Sequence, residues 1–194
     1  SDYGRPALDA RHRVIVEGAL SAPWGLRVTP FLIVSSSRPF NIIIGRDLNG
    51  DTIFTERPAL ASNSTAPQNR VATRWGTFDL NPAPGARVIQ RNYGEGPFFA
   101  AVNLRVSKTI SLNEIDSLFS SPRPRSKDKE ESPYKLTLSV QAQNLFNRTN
   151  NDLPVGNLSS PFFGQSTATL GGYGEGNRSS AGNRRITGQI KIEF

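Results

Sequence analysis

Residues 184–194 constrain this chain most. Ile186, Gly188, Ile190, Ile192 and Phe194 alternate without a fault against Arg185, Thr187, Gln189, Lys191 and Glu193. A period of two describes an extended strand with one apolar and one polar side. The charges on the polar side require water. The apolar side then needs either the core of a soluble sandwich or the hydrocarbon of a membrane, with the charges turned into a watery lumen. Strands of a membrane barrel run to about 9–11 residues, against an average of about 5–6 in soluble sheets. Eleven alternating residues favour the barrel.

The same alternation appears in four earlier stretches, so strands are expected at about 12–20, 26–36, 98–108, 134–144 and 184–194. Val14, Val16, Gly18 and Leu20 share a face in the first. Leu26, Val28, Pro30, Leu32 and Val34 share one in the second, where Pro30 predicts a bulge or weak spot because it donates no ladder hydrogen bond. Ala100, Val102, Leu104 and Val106 follow in the third, and Leu136, Leu138, Val140 and Ala142 in the fourth. Residues 21–25 read as a tight turn in which Pro23 and Gly25 take the unusual backbone angles. Residues 37–97 are long and irregular, with a strand-like piece at 41–44, and 146–183 form a second long loop. Residues 113–133 are a charged linker by composition. Connections this long are unusual in a compact soluble domain but common on the outer side of outer-membrane barrels.

If the C-terminus lies on the inner side, both long loops fall outside. The linker is then longer than an inner turn should be. Trp24, Tyr134 and Phe194 form one aromatic rim, and Phe40, Phe98 and Phe146 the other. The fold class expected is all-β: an antiparallel meander of about five long strands, the C-terminal part of a transmembrane β-barrel with long extracellular loops. Five strands are fewer than the roughly eight that close the smallest barrels. The whole of 1–194 is therefore expected to be a C-terminal fragment of a barrel domain, its plug domain absent.

Composition agrees. The 194 residues start at Ser1 without a methionine, as expected of a mature product or a piece of something longer. No signal segment stands out. The apolar runs are too short for a membrane helix. The absence of cysteine excludes disulfide scaffolds and thiol catalysis. A net charge of +7 raises nucleic-acid binding, but the arginines lie scattered in loops and on polar strand faces, so no nucleic-acid partner is expected.

Several motifs occur in order: Arg11-His12-Arg13, Pro23-Trp24-Gly25-Leu26, Ser37-Arg38-Pro39-Phe40-Asn41, and Gly45-Arg46-Asp47-Leu48-Asn49-Gly50-Asp51. Arg57-Pro58, Asn103-Leu104-Arg105-Val106-Ser107-Lys108-Thr109 and Asn144-Leu145-Phe146-Asn147-Arg148-Thr149-Asn150 follow, before the terminal Phe194. This order resembles the C-terminal barrel of TonB-dependent receptors over nearly the whole chain. The nearest likeness is to the Oar-like group, which carries a carboxypeptidase-regulatory-like domain. The resemblance implies a Gram-negative cell outer membrane, a barrel of about 22 strands around a plug, and uptake of a large or scarce ligand. Its implied partners are outer-membrane lipid, that ligand, the TonB complex acting through missing N-terminal parts, and the barrel-assembly machinery reading Ile190, Ile192 and Phe194.

The alternative is a soluble β-rich adhesion or carbohydrate-binding module. No nucleophile elbow or paired-carboxylate motif stands out, so an enzyme is not expected, nor a cofactor beyond calcium. Asp47, Asn49 and Asp51 have the one-three-five spacing by which a turn folds oxygens onto a hard cation. An EF-hand needs glycine at position six and glutamate at twelve, where Thr52 and Pro58 stand, and Glu56 is out of register. The competing explanation is a turn that hydrogen-bonds to itself. Tyr93-Gly94-Glu95-Gly96 recurs at 173–176 and reads as turn chemistry, and His12 as a rim residue.

Overall fold

A computed structural model describes residues 3–111, 134–170 and 182–194. The described chain is all-β, with two short 3-10 turns and antiparallel sheets. The main sheet contains β1 (Arg13–Glu17), β2 (Leu20–Ala22), β3 (Leu26–Ser35), β9 (Phe99–Ser111), β10 (Lys135–Gln143) and β11 (Arg185–Glu193). Its order is β1-β3-β9-β10-β11, with β2 continuing β1 along β3. Five extended passes thus form the expected meander. The sheet is open: β1 with β2 forms one edge and β11 the other, and no closed barrel forms among the described residues.

The break between β1 and β2 has a physical cause. Glu17 pairs with Phe31 and Leu20 with Val28, which leaves Gly18 opposite Pro30. Gly18 donates to the Pro30 carbonyl at 3.4 Å, but Pro30 has no N–H to return. The residue count is equal on the two strands, so this is a weak spot without a bulge. At the hairpin tip the expected tight turn forms, with positive φ at Gly25 (71°) and also at Trp24 (62°), which the sequence did not single out for it. Two successive positive φ angles give the primed turn whose twist matches antiparallel strands.

Register places the apolar side chains on one face. Leu20, Val28, Val106, Val140 and Gly188 lie in one row across the sheet. Leu26, Lys108, Leu138 and Ile190 lie in the next. Nothing among the described residues covers much of this face: Val14, Val16, Leu20, Val34, Leu138, Val140, Ile186, Ile190 and Ile192 are exposed, Ile190 at 72%. Full burial of such a side chain is worth about 1.5–3 kcal/mol. At their partial exposures these nine forgo on the order of 10 kcal/mol, comparable to the whole stability of a typical domain, about 5–15 kcal/mol. The opposite face is polar and internally bonded over β9–β11. Toward the cap it turns apolar, with Ile15, Ile33 and Ala101 in register, Phe31 on the same face and Ile33 fully buried. Arg105 donates to Ser139 Oγ (3.2 Å) and Gln189 Oε1 (3.3 Å), and the Thr109 and Thr137 hydroxyls share a 2.9 Å bond.

The long segments after β3 and β10 leave from the same end of the sheet and fold together as a cap. β4 (Pro39–Phe40) pairs with β8 (Gly94–Glu95), and β7 (Gly76–Asp79) lies between β5 (Ala59–Leu60) and β6 (Arg70–Thr73). Residues 37–97 are therefore structured, beyond the single piece expected at 41–44. That piece contributes Ile42 and Ile44 to the interior and bridges 156–158 through Ile43. Phe40, Ile42, Phe78 and Ile89 form the core, flanked by Trp75, Leu153, Leu158 and Phe163. Phe40, expected at an aromatic rim, is buried there edge-on against Trp75, because the β4–β8 pair folds it inward. Phe98, Phe146, Trp24, Tyr134 and Phe194 are exposed. The linker at 113–133 lies outside the described residues.

Candidate functional site

The cap exists because two loops supply complementary parts. Ile43 N–H donates to Gly156 O and Leu158 N–H to Ile43 O, both at 2.9 Å. A Cβ on Gly156 would stand 1.9 Å from Asn41 O, so only glycine allows this approach. Asn150 clamps the end of β9, accepting from Ala100 N–H (3.0 Å) and donating to Ala100 O (2.9 Å). Asn144 and Asn147 take positive φ, and their side chains bond Arg148 N–H and Arg184 N–H. Asparagine tolerates this left-handed region, and here it turns the chain from the sheet into the cap.

Beside the core, residues 46–55 make an exposed excursion that holds the candidate metal ligands. Asp47 Oδ1 accepts from the N–H groups of Asn49 (3.2 Å) and Gly50 (2.7 Å), and Oδ2 from that of Thr52 (2.9 Å). These backbone donors, Thr52 first, hold the Asp47 carboxyl below its ordinary pKa. Asp51 Oδ1 accepts from Ile53 N–H at 2.8 Å. Asn49 turns its amide onto Asp51, donating to Oδ2 at 2.9 Å and accepting from Asp51 N–H at 3.1 Å. The three residues singled out in the sequence are thus together, with the self-bonded turn formed around them.

A fourth residue joins them. Glu56 brings a carboxylate oxygen to a group in which the ligand atoms of Asp47, Asp51 and Glu56 all lie within 4.8 Å of one another. Counting from Asp47 on an EF-hand template discards Glu56; an acidic residue five positions after Asp51, on the way back to a buried Pro58, is the signal that was present.

Other singled-out residues serve the structure. Ile190, Ile192 and Phe194 lie exposed on or beside the edge strand β11. His12 N–H donates to Ser36 Oγ (3.1 Å), and its carbonyl accepts from Ser36 N–H (2.8 Å), closing the start of β1. Gly94 packs under the Phe40 ring and Gly96 under Leu153, which explains the glycines at 93–96 as close approach. The repeat at 173–176 lies outside the described residues.

None of the protein-family models, curated proteins or solved structures compared with the chain matches it. The resemblance to TonB-dependent receptors rests on the ordered motifs alone.

Proposed function

We propose that this chain forms part of the wall and the outer loops of a TonB-dependent receptor in the cell outer membrane. One observation carries the proposal: a face that is apolar over five strand passes apart from Lys108, uncovered, backed by a face that is polar and internally bonded over β9–β11. Hydrocarbon would cover the first and a watery lumen would meet the second. β3, β9, β10 and β11 contain 10, 13, 9 and 9 residues, about the length that crosses a bilayer. Further strands would pair with the two open edges. The cap would present the ligand-facing outer surface, and Ile190, Ile192 and Phe194 would meet the assembly machinery. Ligand uptake, driven through the plug and TonB-contacting parts, follows from the family resemblance.

The test uses membranes from cells that make the protein. They are stripped with alkaline carbonate and then extracted with detergent. Retention through the carbonate wash and release by detergent are expected. A monodisperse particle in detergent-free buffer would overturn the proposal and favour the soluble adhesion or carbohydrate-binding module.

A further inference from the structure

We propose that Asp47, Asp51 and Glu56 form a calcium site that fastens the 46–55 excursion to the core of the cap. The site is independent of whether the sheet meets lipid. Three carboxylates gather within 4.8 Å, and no salt bridge among the described residues involves any of them. The independent observation is Glu56 Oε2. This oxygen has less than 1 Å² of accessible surface and no hydrogen-bond partner. A shielded carboxylate oxygen without a donor is costly unless a cation or proton satisfies it.

The lone pairs are available. A carboxylate offers about four acceptor positions. Asp47 uses three on backbone N–H groups, which leaves one on Oδ2. Asp51 spends one on Ile53 N–H and one on the Asn49 amide. An all-oxygen set selects a hard cation. Two oxygens on one Ca²⁺, each about 2.3–2.6 Å away, can stand up to about 5 Å apart, so the observed spread admits the ion. The irregular turn suits the flexible shell of Ca²⁺ better than the strict octahedron of Mg²⁺. Glu56 supplies the mechanical link. Its own carbonyl accepts from Ile44 N–H at 2.7 Å, and Ile44 is fully buried beside Ile42 in the interior of the cap.

The experiment titrates the purified chain with CaCl₂, reading binding by calorimetry and cleavage after exposed Arg46 by limited trypsinolysis. One ion per chain is expected, at roughly 10⁻⁴–10⁻³ M as in extracellular calcium modules, with slower cleavage at Arg46. Glu56→Gln and Asp51→Asn are each expected to weaken binding at least about 10-fold, while Glu95→Gln leaves it unchanged. Emission of Trp75, packed between Phe40 and Phe163, reports whether each variant keeps its cap. Asp51 is exposed, so its variant keeps the test open if Glu56→Gln disturbs folding. Wild-type affinity in the Asp51→Asn variant, or no uptake at about 10 mM by a chain with an intact cap, overturns the site.

Discussion

Val140→Arg separates the environments open to the sheet. Val140 lies in β10 on the apolar face, between Val106 and Gly188 in register, and is 54% exposed. Its partner Gly188 precedes Phe194 by six residues. At about 3.3 Å per residue and a tilt of about 40°, that is roughly 15 Å along the membrane normal. An apolar band about 25 Å tall then puts Val140 close to the midplane. Arginine at that depth costs about 2–4 kcal/mol, or roughly 30- to 700-fold in the folded ratio at 1.4 kcal/mol per tenfold. A half-exposed position in water costs within about 0.5 kcal/mol. Thr187→Arg, exposed on the polar face opposite Gln141, is the control and is expected to stay within about 0.5 kcal/mol. Both are compared with wild type by urea unfolding of protein folded into phospholipid bilayers. Equal midpoints for the two variants would refute the lipid assignment of this face. A penalty of equal size in detergent-free buffer would mean that protein covers it.

Three further outcomes follow from the cap. Phe78→Ala removes the central, fully buried ring, 6.0 Å edge-on from Tyr93, and is expected to cost about 3–5 kcal/mol, read as loss of amide exchange protection in β5–β7. Gly156→Ala forces a Cβ into Asn41 O and is expected to part the two loops, raising protease cleavage in both while the main sheet stays protected. Asp47 has a depressed folded pKa, so its bonds to the turn stabilise the loop fully above the ordinary carboxylate pKa near 3.8. That contribution fades as pH falls through the lower folded value. Amide shifts of Asn49, Gly50 and Thr52 should hold constant from neutrality to about pH 4 and move only below it.

The strands were legible because one side of each must be apolar and the period of two survives any partner; 185–193, 135–143 and 26–35 lie within a residue of expectation at each end. The Pro30 weak spot was legible for the same kind of local reason. The cap was not. Its core joins Phe40, Trp75 and Phe163, rings far apart in sequence, through turns held by asparagine and glycine that leave no periodic trace. Phe40 illustrates the cost: placed at a rim by counting from the strand end, it is folded inward by two residues of pairing with Gly94–Glu95. Glu56 illustrates it again, since a template register discarded a carboxylate that the returning chain brings back beside Asp47.

Spin labels placed singly at residues 136–142 of the bilayer-embedded protein test the membrane assignment most directly. Labels at 136, 138, 140 and 142 should be relaxed by oxygen dissolved in the hydrocarbon, and labels at 137, 139 and 141 by a water-soluble nickel chelate or by neither. Loss of that alternation, or labels at 138 and 140 shielded from both relaxants, would contradict a lipid-facing sheet.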